Sequence, residues 1–433
     1  MSAARSRRIL VVAYAFPPAP FVGSNRWLAI TEHLRARGHE VTVLSTPAFG
    51  RLDDDGARDV HRARDLMASS GLRTMLRRPA LPSDGAPTAT STPAPAVLTR
   101  MLVPDAHVAS WAPFATVAAR RLLAARHHDA IVTTTPYESA HLVGLALRRR
   151  AAWIADFRDG WVFDSHRAPF YTEAQRVLDR ALERRVVSSA DAVTAATRPI
   201  AEDFHDRLGV TAVHVPNGWD PAWGAGAEGD QPPALEDGCV NLVYTGTLSG
   251  GWGRSPRALL KALRTLASEP AVAQRLRLVI AGRPSEEDER DLRELASPLV
   301  RHVGVLSRPA ARALQRQANG LVLITSRNRS EATGKLFEYI GARRPVLALA
   351  AGNEAARIVG ETGIGLTVAP DDEHVIAAVL RDVAAGALER SYAPRDLDEY
   401  IYPAPALKVE AEIEAAITRR ARSPRVRRSS RRG

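Results

Sequence analysis

Glu331-Ala-Thr-Gly-Lys-Leu-Phe-Glu-Tyr-Ile-Gly-Ala-Arg-Arg-Pro345, followed by the apolar run Val346-Leu-Ala-Leu-Ala350, decides how the rest of this 433-residue chain is read. Thr333-Gly334 reads as a turn opening a short helix, and the glycine lets backbone come close to a ligand. A helix start offers unpaired N–H groups and the positive end of the helix dipole, which suits an anion such as a diphosphate. Lys335 adds a mobile positive charge at that mouth. Glu338, one turn further on, can accept two hydrogen bonds from vicinal sugar hydroxyls. Leu336, Phe337 and Ile340 supply the apolar face, and Arg343-Arg344-Pro345 ends the helix before a buried strand. The same spacing also suits an ordinary surface helix carrying a Lys/Glu pair, so the surrounding pattern has to choose.

That pattern is an alternation of strand-length apolar runs and helix-length segments. Strands are predicted over residues 9–13, 41–45, 130–134, 152–155 and 192–195, with helices over about 27–37, 112–126, 139–150 and 173–188 between them. Residues 221–238 are rich in Gly, Pro and Ala and read as an interdomain linker. The alternation then restarts, with strands at 240–244, 276–281, 300–303 and 320–324 and helices at 255–268, 285–296 and 308–317. The prediction is an α/β chain of two doubly wound, Rossmann-like domains facing a cleft lined by strand C-termini. The first domain is expected over residues 1–222 and the second over 239–402, with a last helix within 403–418 able to pack back on the first. A mobile insertion is expected at about 50–100, because Pro79-Ala-Leu-Pro-Ser-Asp-Gly-Ala-Pro-Thr-Ala-Thr-Ser-Thr-Pro-Ala-Pro95 is poor in large apolar residues. The loop after the first strand is long and lacks Gly-x-Gly-x-x-Gly, which disfavours a dinucleotide-dependent dehydrogenase.

Composition narrows the class. The formal charge is +11, but residues 419–433 hold eight arginines and no acid, leaving 11 − 8 = +3 for the rest. Basicity therefore belongs to a tail expected to be disordered, either merely solvated or loosely attracted to anionic lipid, and no specific nucleic-acid partner is expected. Asp53-Asp54-Asp55 lies in a loop with no partner histidine, so no metal site is assigned there. Cys239 is the single cysteine, which excludes an internal disulfide and a cysteine-rich zinc site. With no signal-peptide pattern and no membrane-length apolar run, a cytoplasmic protein with at most peripheral membrane contact is expected.

Four segments resemble a known family, the retaining GT-B glycosyltransferases of family 4. Phe16-Pro-Pro with Gly23-Ser-Asn-Arg26-Trp27 resembles its first glycine-rich loop. Trp153-Ile-Ala-Asp156-Phe-Arg158-Asp159-Gly-Trp161 resembles the Asp-Phe-Arg-Asp-x-Trp segment of one branch. Val215-Pro-Asn-Gly-Trp-Asp220 resembles the sequence before the second domain. Tyr244-Thr-Gly-Thr-Leu248 and Gly334-Lys-Leu-Phe-Glu338-Tyr339 resemble the donor-binding half. The resemblance implies that a nucleotide-diphosphate sugar, UDP-linked by family frequency, is held by Gly23, Gly246, Thr247, Gly334, Lys335, Leu336, Glu338 and Glu331. It implies catalytic roles for Asp159, Arg158, Lys335 and Arg254, an acceptor that is a small molecule, a lipid-linked molecule or a glycan, and neither metal nor cofactor beyond the donor itself.

The sequence also departs from the family. Six residues separate Glu331 from Glu338 where the common pattern has seven, and Thr247 stands where relatives place a diphosphate-binding arginine. Asp159 could orient an acceptor hydroxyl, or Asp156 and Arg158 could form a buried ion pair. Trp27, Trp111 and Trp161 are assigned to the core, His141 to a structural place, and Asn217 and Asp220 to a turn. The competing readings are a GT-B nucleotide-sugar epimerase, a catalytically dead sugar-binding module, and a nucleic-acid binder acting through its arginine-rich tail.

Overall fold

A computed structural model describes residues 5–19, 22–66, 102–105, 110–164, 170–224, 231–248 and 253–422. The chain divides into two compact units, one running up to Pro216 and resuming at Pro403, the other spanning Asn217–Tyr402.

The first unit is built on seven parallel strands: β1 (Arg8–Ala13), β2 (Glu40–Ser45), β3 (Val60–Arg62), β4 (Ala130–Thr134), β5 (Ala152–Phe157), β6 (Ala192–Ala195) and β7 (Val213–His214), in the order 3-2-1-4-5-6-7. β1, β4 and β5 are buried almost throughout, as expected of parallel strands covered on both faces. Helices Ala112–Ala125, Ser139–Leu147, Glu173–Val187 and Arg198–Leu208 supply one core, around Trp111, Trp153, Phe157, Trp161 and Phe204. Helices Val22–Ala36 and Ala404–Arg422 pack on each other, the latter also against β4, β5 and β6. Arg7 to Glu414 at 2.6 Å and Arg37 to Glu410 at 2.5 Å tie that last helix to the start of the unit.

The second unit repeats the plan with β8 (Val240–Thr245), β9 (Leu276–Ala281), β10 (Val300–His302), β11 (Gly320–Ile324), β12 (Val346–Leu349) and β13 (Gly365–Val368), ordered 10-9-8-11-12-13. Helix Gly334–Ala342 leads into β12 and buries Leu336, Phe337, Tyr339 and Ile340. Each such side chain contributes about 1.5–3 kcal/mol. Arg343 ends it in the left-handed conformation at φ 53°.

The structure corrects several sequence readings. The helix expected from residue 27 begins at Val22, so Gly23-Ser-Asn-Arg26 is its first turn rather than loop. The span assigned to an insertion begins too early. Residues 50–66 form turns and β3, where Arg62 pairs with Asp55 at 2.9 Å and Arg58 with Asp54. Most of the remainder, residues 67–101 and 106–109, lies outside the described residues, as do 423–433 of the expected tail. The linker is expected from sequence at 221–238, whereas the units divide between Pro216 and Asn217. Trp219 explains the offset: it packs on Gly341, where an added Cβ would lie 2.4 Å from the indole, and bonds backbone with Tyr400 and Tyr402.

Candidate functional site

In the second unit, β8 ends in a tight turn at Gly246, whose φ of 101° calls for glycine. The neighbouring strand end, Gly282, presses on it, since a Cβ on Gly282 would meet the Gly246 carbonyl at 2.2 Å. Opposite stands the helix that begins at Gly334. The amides of Gly334 and Lys335 take no acceptor among the described residues, while that of Leu336 closes a turn on Thr333 at 3.1 Å. Thr333 is in the N-cap position yet makes no side-chain cap, and its buried hydroxyl has no partner among the described residues. A helix start left open in this way is a place for an anion.

Lys335 crosses from this helix to the turn. Its ammonium donates to Tyr244 Oη at 2.9 Å and to the Thr247 carbonyl at 3.2 Å, and lies 4.8 Å from the centre of the Tyr244 ring. Among the described residues no carboxylate pairs with it. Burial pushes its pKa down to about 7, and nearby Arg254 pushes the same way while Glu338 and Glu331 partly oppose. Arg254 Nε donates to Glu331 Oε1 at 2.6 Å, and the other oxygen of that carboxylate accepts from the Ser326 amide at 2.6 Å and from its hydroxyl. Glu331 is thus occupied in fixing Arg254 and the end of β11. Glu338 makes no hydrogen bond or ion pair among the described residues and lies near Arg312. Gly246, Thr247, Arg254, Glu331, Gly334 and Lys335 therefore come together. Leu336 sends its side chain into the core and can offer a ligand only backbone.

The sequence reading missed Tyr244 as the shelf under Lys335 and Gly282 as the stop behind Gly246. In the sequence Tyr244 stands out only as part of the Tyr244-Thr-Gly-Thr-Leu248 motif, and Gly282 only ends a strand. Gly246→Ala tests the arrangement. The new methyl would sit 2.6 Å from Lys335 Cε at an unfavourable φ, so both stability and ligand affinity are expected to fall. Gly304→Ala, at φ 77° with no atom within 4 Å, should show the backbone cost alone in parallel melting curves.

In the first unit the two acids of the Asp-Phe-Arg-Asp segment separate. Asp156, buried at the end of β5, does not pair with Arg158 as one reading allowed. Its partners are Arg26 at 3.3 Å, Trp27 Nε1 at 2.9 Å, Thr134 at 2.8 Å and Thr194 at 2.7 Å. Burial works to raise its pKa, but Arg26 and the three side-chain donors hold it below the usual carboxylate range. Arg158 instead meets Asp159 at 2.7 Å, both partly exposed. Gly23 is what lets the Arg158 side chain pass, since a Cβ there would lie 3.0 Å from its Cδ. Trp27, Trp111 and Trp161 are core residues. His141 is wholly buried beside Phe157 and Trp161, its pKa pushed down to about 3 by burial.

Residues 23–218 match the family model described as a glycosyl transferase 4-like domain. The match spans just under half of the chain. No curated protein matches the sequence. The fold is the two-domain GT-B fold. Similar solved structures include the N-terminal domain of a Candida albicans trehalose-6-phosphate phosphatase (TM-score 0.65, 14% identity, 95% of this chain and 97% of that one). A protein described as a UDP-N-acetylglucosamine 2-epimerase from Listeria monocytogenes gives 0.57, 13%, 95% and 96%. CalG4, the calicheamicin glycosyltransferase, gives 0.52, 18%, 96% and 99%.

Proposed function

We propose that the protein is a retaining glycosyltransferase that moves a sugar from a nucleotide-diphosphate sugar, with UDP the first choice, to an acceptor hydroxyl on a small molecule, a lipid-linked molecule or a glycan. The observation that carries this reading is Lys335, an ammonium with no carboxylate partner among the described residues, beside a helix start whose first two amides take no acceptor among them. The glycosyl transferase 4-like match and the likeness to a glycosyltransferase of the same fold support it.

The chemistry follows from where charge grows. As the bond to the donor sugar breaks, the ring becomes positive and the leaving diphosphate gains negative charge. Lys335, Arg254 and the Gly334 and Lys335 amides meet that charge, so helix terminus and cations do the neutralising and the proposal includes no bound metal. Glu338, with both carboxylate oxygens uncommitted, receives the ribose hydroxyls. The new bond forms on the face the diphosphate leaves, and the leaving phosphate takes the acceptor's proton. Asp159, oriented by Arg158, is the acceptor-side candidate in the first unit, with Gly23 giving the Arg158 side chain its room.

The test is a thermal-shift panel of nucleotides and nucleotide sugars. A matching donor at about 100 times its Kd should add about 2.7 kcal/mol, a shift of several degrees, and Glu338→Ala should lose most of it. No shift from any nucleotide, or full turnover in both Glu338→Ala and Lys335→Ala, would overturn the reading. The fold shared with a protein described as an epimerase favours a second reading, in which the donor turns over with no acceptor present.

A further inference from the structure

Helices Ala112–Ala125, Ser139–Leu147 and Glu173–Val187 lie side by side in the first unit, the middle one touching both others. They lead into the parallel strands β4, β5 and β6, so they run the same way and their C-terminal ends share one edge. Their outer surface is inverted relative to an ordinary solvent face. On Glu173–Val187, Ala174, Val177, Leu178 and Ala181 face out at helical spacing, with Val177 53% and Leu178 51% exposed, beside Tyr171 at 51%. Two of its acids point inward instead and are satisfied: Asp179 accepts from Trp161 Nε1 at 2.8 Å, and Glu183 from Arg207 at 2.6 Å. Val117, 48% exposed, continues the apolar band on the first helix.

At the shared edge stand Arg120 and Arg121, Arg149 and Arg150, and Arg184 and Arg185, all exposed and none paired with a carboxylate among the described residues. The three helices carry one exposed acid, Glu173, at the opposite end and paired with Arg176 at 2.7 Å. Helix Ala404–Arg422 ends at the same edge, where Arg420 donates to the Arg148 carbonyl at 2.8 Å, and the sequence beyond it holds five more arginines.

We propose that this three-helix face docks the protein onto an anionic lipid bilayer. Tyr171, Val177 and Leu178 enter the headgroup boundary while the arginine edge meets the lipid phosphates. A nucleic acid would leave the apolar band uncovered, and a second copy of this face would set unpaired arginines against their like.

Flotation of the full chain with vesicles decides it. Binding to equal parts of phosphatidylcholine and phosphatidylglycerol should exceed binding to phosphatidylcholine alone by about a hundredfold, and should weaken with salt. Arg149→Gln with Arg150→Gln, Arg184→Gln and Arg185→Gln should cost about a hundredfold. Val177→Ser with Leu178→Ser should cost about tenfold and chiefly at high salt, where charge is screened. All of these positions are exposed, so unchanged melting curves are expected. Variants that bind as well as the parent would assign binding to the chain beyond Arg422 and overturn the proposal. Equal binding to neutral vesicles, or lipid-free dimers that dissociate in the Val177→Ser, Leu178→Ser variant, would overturn it too.

Discussion

Replacing Lys335 with methionine is expected to lower nucleotide-sugar turnover by about a hundredfold or more while raising the melting temperature of the ligand-free protein. The two effects have one cause. Lys335 is buried beside Arg254 with only two neutral acceptors, so its ammonium is disfavoured until an anion arrives. Its folded pKa, near 7, lies below the unfolded value, so the unfolded chain binds more protons across that interval. Stability conferred on the folded chain therefore rises with pH from about 7 towards the unfolded value of about 10.4, and the penalty is complete below about 7. Removing the amine relieves that penalty at neutral pH, by about 1–2 kcal/mol. Donor binding should have the opposite dependence, tightening as pH falls through 7 because the diphosphate favours the charged form. Lys335→Arg, which stays charged, should bind with a flat pH profile. A parent profile that is equally flat, or a methionine variant that keeps its turnover, would remove Lys335 from the chemistry.

The fold was legible because parallel strands buried on both faces leave continuous apolar runs. Residues 308–317 and 320–324 were bounded from sequence alone, and Arg308–Gln317 and Gly320–Ile324 are the elements found. Two short edge strands of the first unit were not legible: β3 and β7 have three and two residues, too few for a periodic signal, although the equally short β10 falls within the strand read at 300–303. The start of Val22–Ala36 was read late because Gly23, Ser24 and Asn25 are turn formers. Gly23 stands there for a packing reason, the passage of Arg158. The site was legible as a set of residue types but not as a set of pairings. Glu331 and Arg254 were both read as facing the donor, and nothing in their spacing says that they bind each other across 77 positions. Asp156 and Arg158 are two residues apart on an extended strand end, so their side chains leave in similar directions. Yet Asp156 finds Arg26 from a helix 130 positions away.

That last pairing carries the second large effect. Asp156→Ala should destabilise the first unit by about 3–5 kcal/mol, since Arg26, 2% exposed, would be left as a buried charge without its carboxylate. The donors on Trp27, Thr134 and Thr194 would lose their acceptor as well. Arg26 also donates to the carbonyls of Pro216 at 2.6 Å and Val215 at 2.9 Å, so the loss spreads to the end of the unit. Because the folded pKa of Asp156 is depressed, its contribution is present above the unfolded carboxylate value and fades as pH falls towards the folded one. Removing both charges, as Asp156→Asn with Arg26→Met, should recover part of the stability, because the buried charge is what costs most. Asp159→Asn makes the contrast. Its pair with Arg158 is partly exposed and worth about 0–1 kcal/mol, so the melt should hardly move. Turnover should nevertheless fall if Asp159 orients the acceptor. Denaturation and turnover measured on both variants thus separate an acid that holds the unit together from an acid that works on substrate. A stable Asp156→Ala protein would show that the Arg26 cluster does not anchor this unit.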